Sequence, residues 1–224
     1  MAVALIVAAG SGQRLGASRP KAFVTLAGRP MVEWSVDVFR SWEAVHDIVV
    51  ALPPDRKRAP RGTIGVPGGR TRSESVKRAL AAAPVASRPG EHVYVHDAAR
   101  PLISLELLET LNRCRDDADA VTAASRITDT VKRTGASGLV TETVDRDRLW
   151  AIETPQLFSP VVLKRALDAP VRVLREATDE TSLVQRIGGT VALVDSGALV
   201  PCGNLKVTSP SDLRLAELIL RDRA

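Results

Sequence analysis

The opening of the chain restricts the fold more than any other stretch. Val3-Ala4-Leu5-Ile6-Val7-Ala8 is an unbroken apolar run, and Gly10, Gly12 and Gly16 follow it in a loop that carries Arg14. A run without polar alternation reads as a strand, Val3–Ala8, covered on both faces, as in a parallel sheet flanked by helices. A glycine-rich loop after such a strand lets backbone N–H groups approach an anion closely, and Arg14 and Lys21 add full positive charge. A Walker A loop needs Gly-Lys-Ser/Thr after its second glycine, which is missing here. A dinucleotide fold needs G-x-G-x-x-G opening directly into a helix, whereas Gly10-x-Gly12-x-x-x-Gly16 has the wrong third spacing. Two readings of the loop stay open on its residues alone. It wraps a triphosphate, with Arg14 and Lys21 neutralising charge on the α-phosphate, or its glycines only shape a turn.

The rest of the chain alternates between the two secondary-structure periods. Further strands are expected at Asp47–Leu52, Thr63–Val66, His92–His96, Ala120–Ala124, Thr190–Val194 and Leu205–Val207. A helix over Met31–Arg40 carries Val32, Val36 and Phe39 on one face, and another, opened by Gly68-Gly69, carries Val76, Ala79, Leu80 and Ala83. Ser104, Ser159 and the Thr178-Asp179-Glu180 run mark three more helix starts, and Ser209-Pro210-Ser211-Asp212 is a strong fourth. This alternation predicts a three-layer α/β fold with a mostly parallel sheet. One region breaks it: Thr130–Arg133 and Leu139–Val144 alternate around Gly135-Ala136-Ser137-Gly138, a β-hairpin signal. Residues 126–148 are therefore expected to project as a β-arm from a single domain spanning residues 1–224, with Leu149–Glu153 returning to the core.

Composition excludes several classes of function. The net charge of +5 suits an anionic ligand, but there is no run of five basic residues and no aromatic interleaving, so no nucleic-acid partner is expected. Cys114 and Cys202 form no CxxC and read as free thiols of a reducing compartment. No apolar segment approaches the ~20 residues that span a membrane. The first apolar run is too short, and lacks the basic flank, for a signal peptide. A cytoplasmic protein with no membrane partner is the expectation.

Four polar clusters carry chemistry. Gly68-Gly69-x-x-Arg72-x-x-Ser75-Val76 lies at a strand-to-helix junction, where close backbone approach reads a base edge and Ser75 adds a hydrogen bond; an ordinary β-to-α turn gives the same pattern. His96-Asp97-Ala98-Ala99-Arg100-Pro101 follows a strand at its C-terminal end, where open α/β sheets bind ligands. Asp97 there is a candidate for Mg²⁺, directly or through water, or for a pair with a loop arginine. Thr143-Val144-Asp145-Arg146 sits on the arm. Lys206, within Asn204-Leu205-Lys206-Val207-Thr208, falls in an expected apolar strand, where a lone cation needs a partner or an anion.

In order along nearly the whole chain, these blocks, with Pro20-Lys21 and Thr154-Pro155-Gln156, closely resemble the 2-C-methyl-D-erythritol 4-phosphate cytidylyltransferase family. The resemblance implies a Rossmann-like nucleotidyltransferase domain, CTP as co-substrate, Mg²⁺, and a homodimer formed through the arm. Position by position it implies that Arg14 and Lys21 stabilise the α-phosphate in the transition state. Ala8, Ala9, Gly10, Gly12, Gly69, Ser75 and Ala98 would line the nucleotide site. Arg146 and Lys206 would position the sugar phosphate. Asp97, Arg100, Thr130, Thr154 and Thr178 would contact substrate, with Thr130 and Arg146 serving the partner's site. The rivals are a ribitol-5-phosphate cytidylyltransferase, which shares the CTP site, and a non-catalytic nucleotide-binding regulator. Three departures stand out: Ala22 after Lys21 where the family often has Gln, Arg70 in place of an acid, and Glu153 where Gln or Leu is common. The sequence ends close after its last expected helix, so no second pathway enzyme is expected to be fused to it.

Overall fold

The computed structural model describes residues 1–10, 20–84, 90–200 and 202–223; Gly12 and Arg14 lie outside them. Strand β1 (Ala2–Val7) leads to a 3-10 turn (Lys21–Phe23), the short pair β2 (Thr25–Leu26) and β3 (Arg29–Pro30), and helix α1 (Met31–Ser41). Then come β4 (Val45–Leu52), β5 (Ile64–Pro67), α2 (Arg72–Ala82), β6 (His92–Asp97), α3 (Leu105–Arg113) and β7 (Ala120–Arg126). The arm strands β8 (Val131–Thr134) and β9 (Val140–Val144) precede β10 (Trp150–Phe158). Helices α4 (Pro160–Leu167), α5 (Val171–Glu176) and α6 (Glu180–Arg186), strand β11 (Val191–Asp195) and helix α7 (Pro210–Asp222) complete the chain.

Seven strands form one sheet in the order β11-β7-β10-β6-β1-β4-β5. Pairing is parallel except for β10, which runs antiparallel to both β6 and β7. The apolar run of β1 is divided by the pleat. Ala2, Ala4 and Ile6 enter one core with α1, α3 and α7, while Val3 and Leu5 enter a second core with α2, α4, α5 and α6. Burial on both faces is why this strand has no polar alternation. Each fully buried Val or Leu contributes roughly 1.5–3 kcal/mol over leaving it exposed.

The helix-start signals act as read. Ser104, Ser159 and Asp179 accept from the N–H groups of Leu107, Val162 and Ser182, and Ser209 forms a capping box with Asp212. Three local features differ from expectation. No strand forms over residues 205–207: Val207 N–H donates to the Ala99 carbonyl (2.8 Å), and Lys206 turns to an ion pair instead. Strand β10 continues past Glu153 to Phe158, because Pro155 falls where the pairing with β7 shifts register between Ile152 and Gln156, so no ladder bond is lost. Helix α5 has only six residues, too few for a period to show. The arm strands pair with each other in a separate two-stranded sheet.

The ends of β1, β4, β5 and β6 bring three loops to one edge of the sheet. The Gly68 N–H donates to the Leu52 carbonyl (2.7 Å), and the Ala98 N–H donates to the Val7 carbonyl (3.1 Å). A Cβ on Gly68 would lie 2.2 Å from the Ala9 Cβ and 2.9 Å from the Leu52 carbonyl oxygen, so only glycine lets this junction close against the first loop. Gly68→Ala should therefore destabilise the protein by about 1–3 kcal/mol, read as a lower urea midpoint. An unchanged midpoint would mean that the junction spreads without cost.

Candidate active site

Two clefts open at the C-terminal edge of the parallel strands, as expected for an open α/β sheet. The larger has a volume of about 540 Å³ and is lined by Ala8, Ala9 and Gly10 after β1, by Lys21, by Gly69 and Ser75 of the second glycine loop, and by Ala98. The smaller, about 300 Å³, is lined by Arg100, Thr154 and Thr178, with Gln156 and Asp179 beside them. Arg72, Asp97 and Lys206 line both clefts and form the wall between them.

Local hydrogen bonds shape the larger cleft. Gly69 N–H donates to Ser75 Oγ (3.0 Å), whose hydroxyl donates to the Thr71 carbonyl (2.9 Å). Ser75 thus commits its proton to holding the loop, and presents the cleft with the surface of an ordered turn. A Cβ on Gly69 would meet the Glu74 side chain at 2.3 Å, so this close turn also requires glycine.

The wall is a chain of alternating charges. Arg72 Nε donates to Asp97 Oδ1 (2.8 Å), and Lys206 Nζ donates to Asp97 Oδ2 (2.7 Å). Arg72 also donates through NH1 to the buried carboxylate of Glu180. Burial by itself would raise the Asp97 pKa, but the Arg72 and Lys206 cations outweigh it and hold the carboxyl far below the usual range. Burial by itself would lower the Arg72 pKa, and the carboxylates of Glu180 and Asp97 more than reverse it. This resolves the cost of a lone lysine near residue 206: its partner is Asp97.

Both oxygens of Asp97 face cations, and among the described residues no group of three or more His, Cys, Asp or Glu could hold a metal. The described residues thus offer no metal site complete in itself, and a Mg²⁺ ion would need oxygens from the nucleotide and water.

Behind the wall lies a second buried network. Asp97 N–H donates to Thr154 Oγ1 (3.0 Å), which lies 3.1 Å from His96 Nδ1. His96 Nε2 lies 3.2 Å from the Arg100 carbonyl, which can only accept, so Nε2 carries the proton and Nδ1 accepts from Thr154. Burial drives the His96 pKa down to about 3. The ring is neutral and enclosed, which removes it as a general base. Glu153, the departure noted in the sequence, accepts from Ser196 Oγ and Asn204 Nδ2 (2.8 Å each). Arg100 in turn donates to the Asn204 carbonyl (2.6 Å).

Thr130 and Arg146 stand apart from both clefts. Each is exposed on or beside the arm, and Arg146 donates to the Thr128 carbonyl. The residues missed as site candidates are Arg72, Glu180, Gln156 and Asp179. All four fall inside motifs visible in the sequence, but nothing in a linear pattern marks which motif residue faces a cleft and which is buried behind it.

Comparison with known proteins places these features in one family. The family model described as IspD, 2-C-methyl-D-erythritol 4-phosphate cytidylyltransferase, matches residues 2–222. A protein of that name from Symbiobacterium thermophilum is 41% identical over 226 residues, covering 98% of this chain and 93% of its own. Another from Prochlorococcus marinus is 38% identical over 231 residues, covering 98% of each. The crystal structure of the Thermus thermophilus protein superposes with a TM-score of 0.79 at 32% identity, over 97% of this chain and 98% of that one.

The His96 geometry has a measurable consequence. A ring that stays neutral when folded, with a pKa near 3 against an ordinary 6.5, contributes stability that is complete above pH 6.5 and is lost as pH falls toward 3. Between about pH 6 and pH 4 this one group should remove about 1.4 kcal/mol of unfolding free energy per pH unit. His96→Gln should lack that component, measured by urea unfolding across the range; equal pH slopes in the two proteins would refute the assignment.

Proposed function

This chain belongs to the 2-C-methyl-D-erythritol 4-phosphate cytidylyltransferase family, and we propose that it transfers the cytidylyl group of CTP to 2-C-methyl-D-erythritol 4-phosphate. The products are 4-diphosphocytidyl-2-C-methyl-D-erythritol and pyrophosphate, and the reaction belongs to non-mevalonate isoprenoid precursor synthesis. The observation that carries the reading is the pair of clefts meeting at Arg72, Asp97 and Lys206. One cleft is built on glycine loops suited to a nucleotide triphosphate, and the other is lined by the hydroxyl, amide and guanidinium groups that a phosphorylated polyol needs.

In this reaction an oxygen of the acceptor's phosphate attacks the α-phosphorus of CTP. The new P–O bond forms as the bond from the α-phosphorus to the bridging oxygen breaks, and that electron pair leaves with pyrophosphate. The nucleophile is already anionic at neutral pH, so no general base is needed, in keeping with an enclosed, neutral His96. The obstacle is repulsion between two anions. Lys21 in the larger cleft and Lys206 in the shared wall supply cations where the two phosphates approach, and the resemblance adds Arg14. Mg²⁺ enters this reading as an ion carried by the triphosphate's own oxygens, which it prefers; the chain's residues are assigned no part in holding it.

The arm belongs to the same reading as a dimerisation element. Leu139 and Val140 are 71% and 61% exposed at its tip, an apolar pair suited to burial against a second subunit. Thr130 and Arg146 would then complete the partner's acceptor cleft, which explains why they lie away from both clefts of their own chain.

Lys21→Ala should leave the fold intact and lower kcat roughly a hundredfold, about 3 kcal/mol of transition-state stabilisation, in a pyrophosphate-release assay. Near-normal turnover would sink the assignment. The acceptor is tested by comparing 2-C-methyl-D-erythritol 4-phosphate with ribitol 5-phosphate at fixed CTP and Mg²⁺. Preference for ribitol 5-phosphate would move the chain to the pentitol enzymes, and release with neither acceptor would favour a binding protein. For the arm, mixed dimers of Arg146→Ala and Lys21→Ala should regain turnover that neither variant has alone. No recovery after proven subunit exchange would refute the shared site.

A further inference from the structure

Glu180 is the first residue of α6, and its side chain is wholly buried. A buried carboxylate is costly unless a cation meets it, and burial raises its pKa against the pull of Arg72. Its partner comes from a distant part of the chain. Arg72 begins α2, beside the glycine loop of the larger cleft, whereas Glu180 follows Thr178 and Asp179 of the smaller one. The ion pair therefore ties the walls of the two clefts together.

The way Arg72 divides its donors is informative. A guanidinium prefers to grip one carboxylate with two parallel N–H groups. Arg72 instead gives Nε to Asp97 Oδ1 and NH1 to Glu180 Oε2. Its NH2 and the Glu180 Oε1 are both buried without a hydrogen-bond partner. Arg72 is thus shared between two carboxylates and Asp97 between two cations, with Oδ2 accepting from Lys206.

From this we infer that Glu180 is a positioning residue for the transfer reaction: by holding NH1 and balancing the charge of Arg72 it leaves the Asp97 carboxylate free to anchor Lys206 at the junction of the clefts. The inference rests on the cytidylyltransferase reading for its effect on rate, but not for its effect on Lys206. Without the Glu180 charge, the Arg72 cation is balanced by Asp97 alone, so it competes with Lys206 for that one carboxylate and Lys206 is held less firmly. Lys206 is 43% exposed in its side chain, so its release is detectable from solution.

The test uses the full chain with Glu180→Gln, which keeps the side-chain shape and removes the charge. Reductive methylation with formaldehyde and dimethylamine borane, read by peptide mass spectrometry, should label Lys206 severalfold faster in the variant. The exposed Lys57 and Lys164 serve as internal references of unchanged rate. Turnover should fall roughly tenfold or more in kcat, with KM for CTP little changed, because a cation is misplaced while the nucleotide loops are intact. Unchanged Lys206 labelling, or wild-type kcat, overturns the inference. If Glu180→Gln does not fold, the double variant Arg72→Met with Glu180→Leu replaces the buried pair by apolar groups of similar size. It should regain stability but not turnover; a stable double variant with wild-type kcat also overturns the inference. An absence of pyrophosphate release by the wild-type protein itself would refute the cytidylyltransferase reading, and the labelling result would still decide the role of Glu180.

Discussion

Asp97 accepts from Arg72 on one oxygen and from Lys206 on the other, and the geometry of both clefts follows from that double contact. The three residues come from the end of β6, the start of α2 and the segment before α7. A buried ion pair is a weak source of net stability, since desolvation offsets much of the attraction. Its value here is spatial. It brings two cations and one carboxylate to the place where both clefts meet, and the alternation of sign leaves no buried charge alone.

That arrangement depends on the one antiparallel strand in an otherwise parallel sheet. Because β10 runs against β6, Thr154 lies beside the end of β6 and accepts from the Asp97 N–H. The same strand places Glu153 against Asn204 and Ser196, which steadies the segment carrying Lys206. A parallel β10 would bring its opposite end to this edge. The layered cores do the complementary work: the two sets of helices cover the two faces of the sheet, and the loop edge is left to form the clefts.

Much of the fold was legible in the sequence because burial on both faces leaves an unbroken apolar run, and capping residues mark helix starts directly. Val3–Val7 and Ser209–Asp212 are the clearest cases. The features that escaped have physical causes. Residues 205–207 are apolar enough to read as a strand, but Lys206 is drawn to Asp97 and one backbone bond to Ala99 replaces a ladder. Strand β10 runs through a proline that local punctuation treats as a stop. The candidate site was legible as motifs, whereas the double pairing of Asp97 with Arg72 and Lys206 was not.

The sequence by itself determined the layer architecture, the glycine positions at the cleft and the residue types needed to handle phosphate, because these depend on periodicity, backbone freedom and formal charge, which are local properties. Only the tertiary structure decided which charges meet. Arg72, Asp97, Glu180 and Lys206 are spread over more than half the chain, and their pairing follows from strand order and from the antiparallel course of β10. The first glycine loop entered as a cradle for an anion; the wall behind its cleft, assembled from distant segments, gives that anion an acceptor to meet.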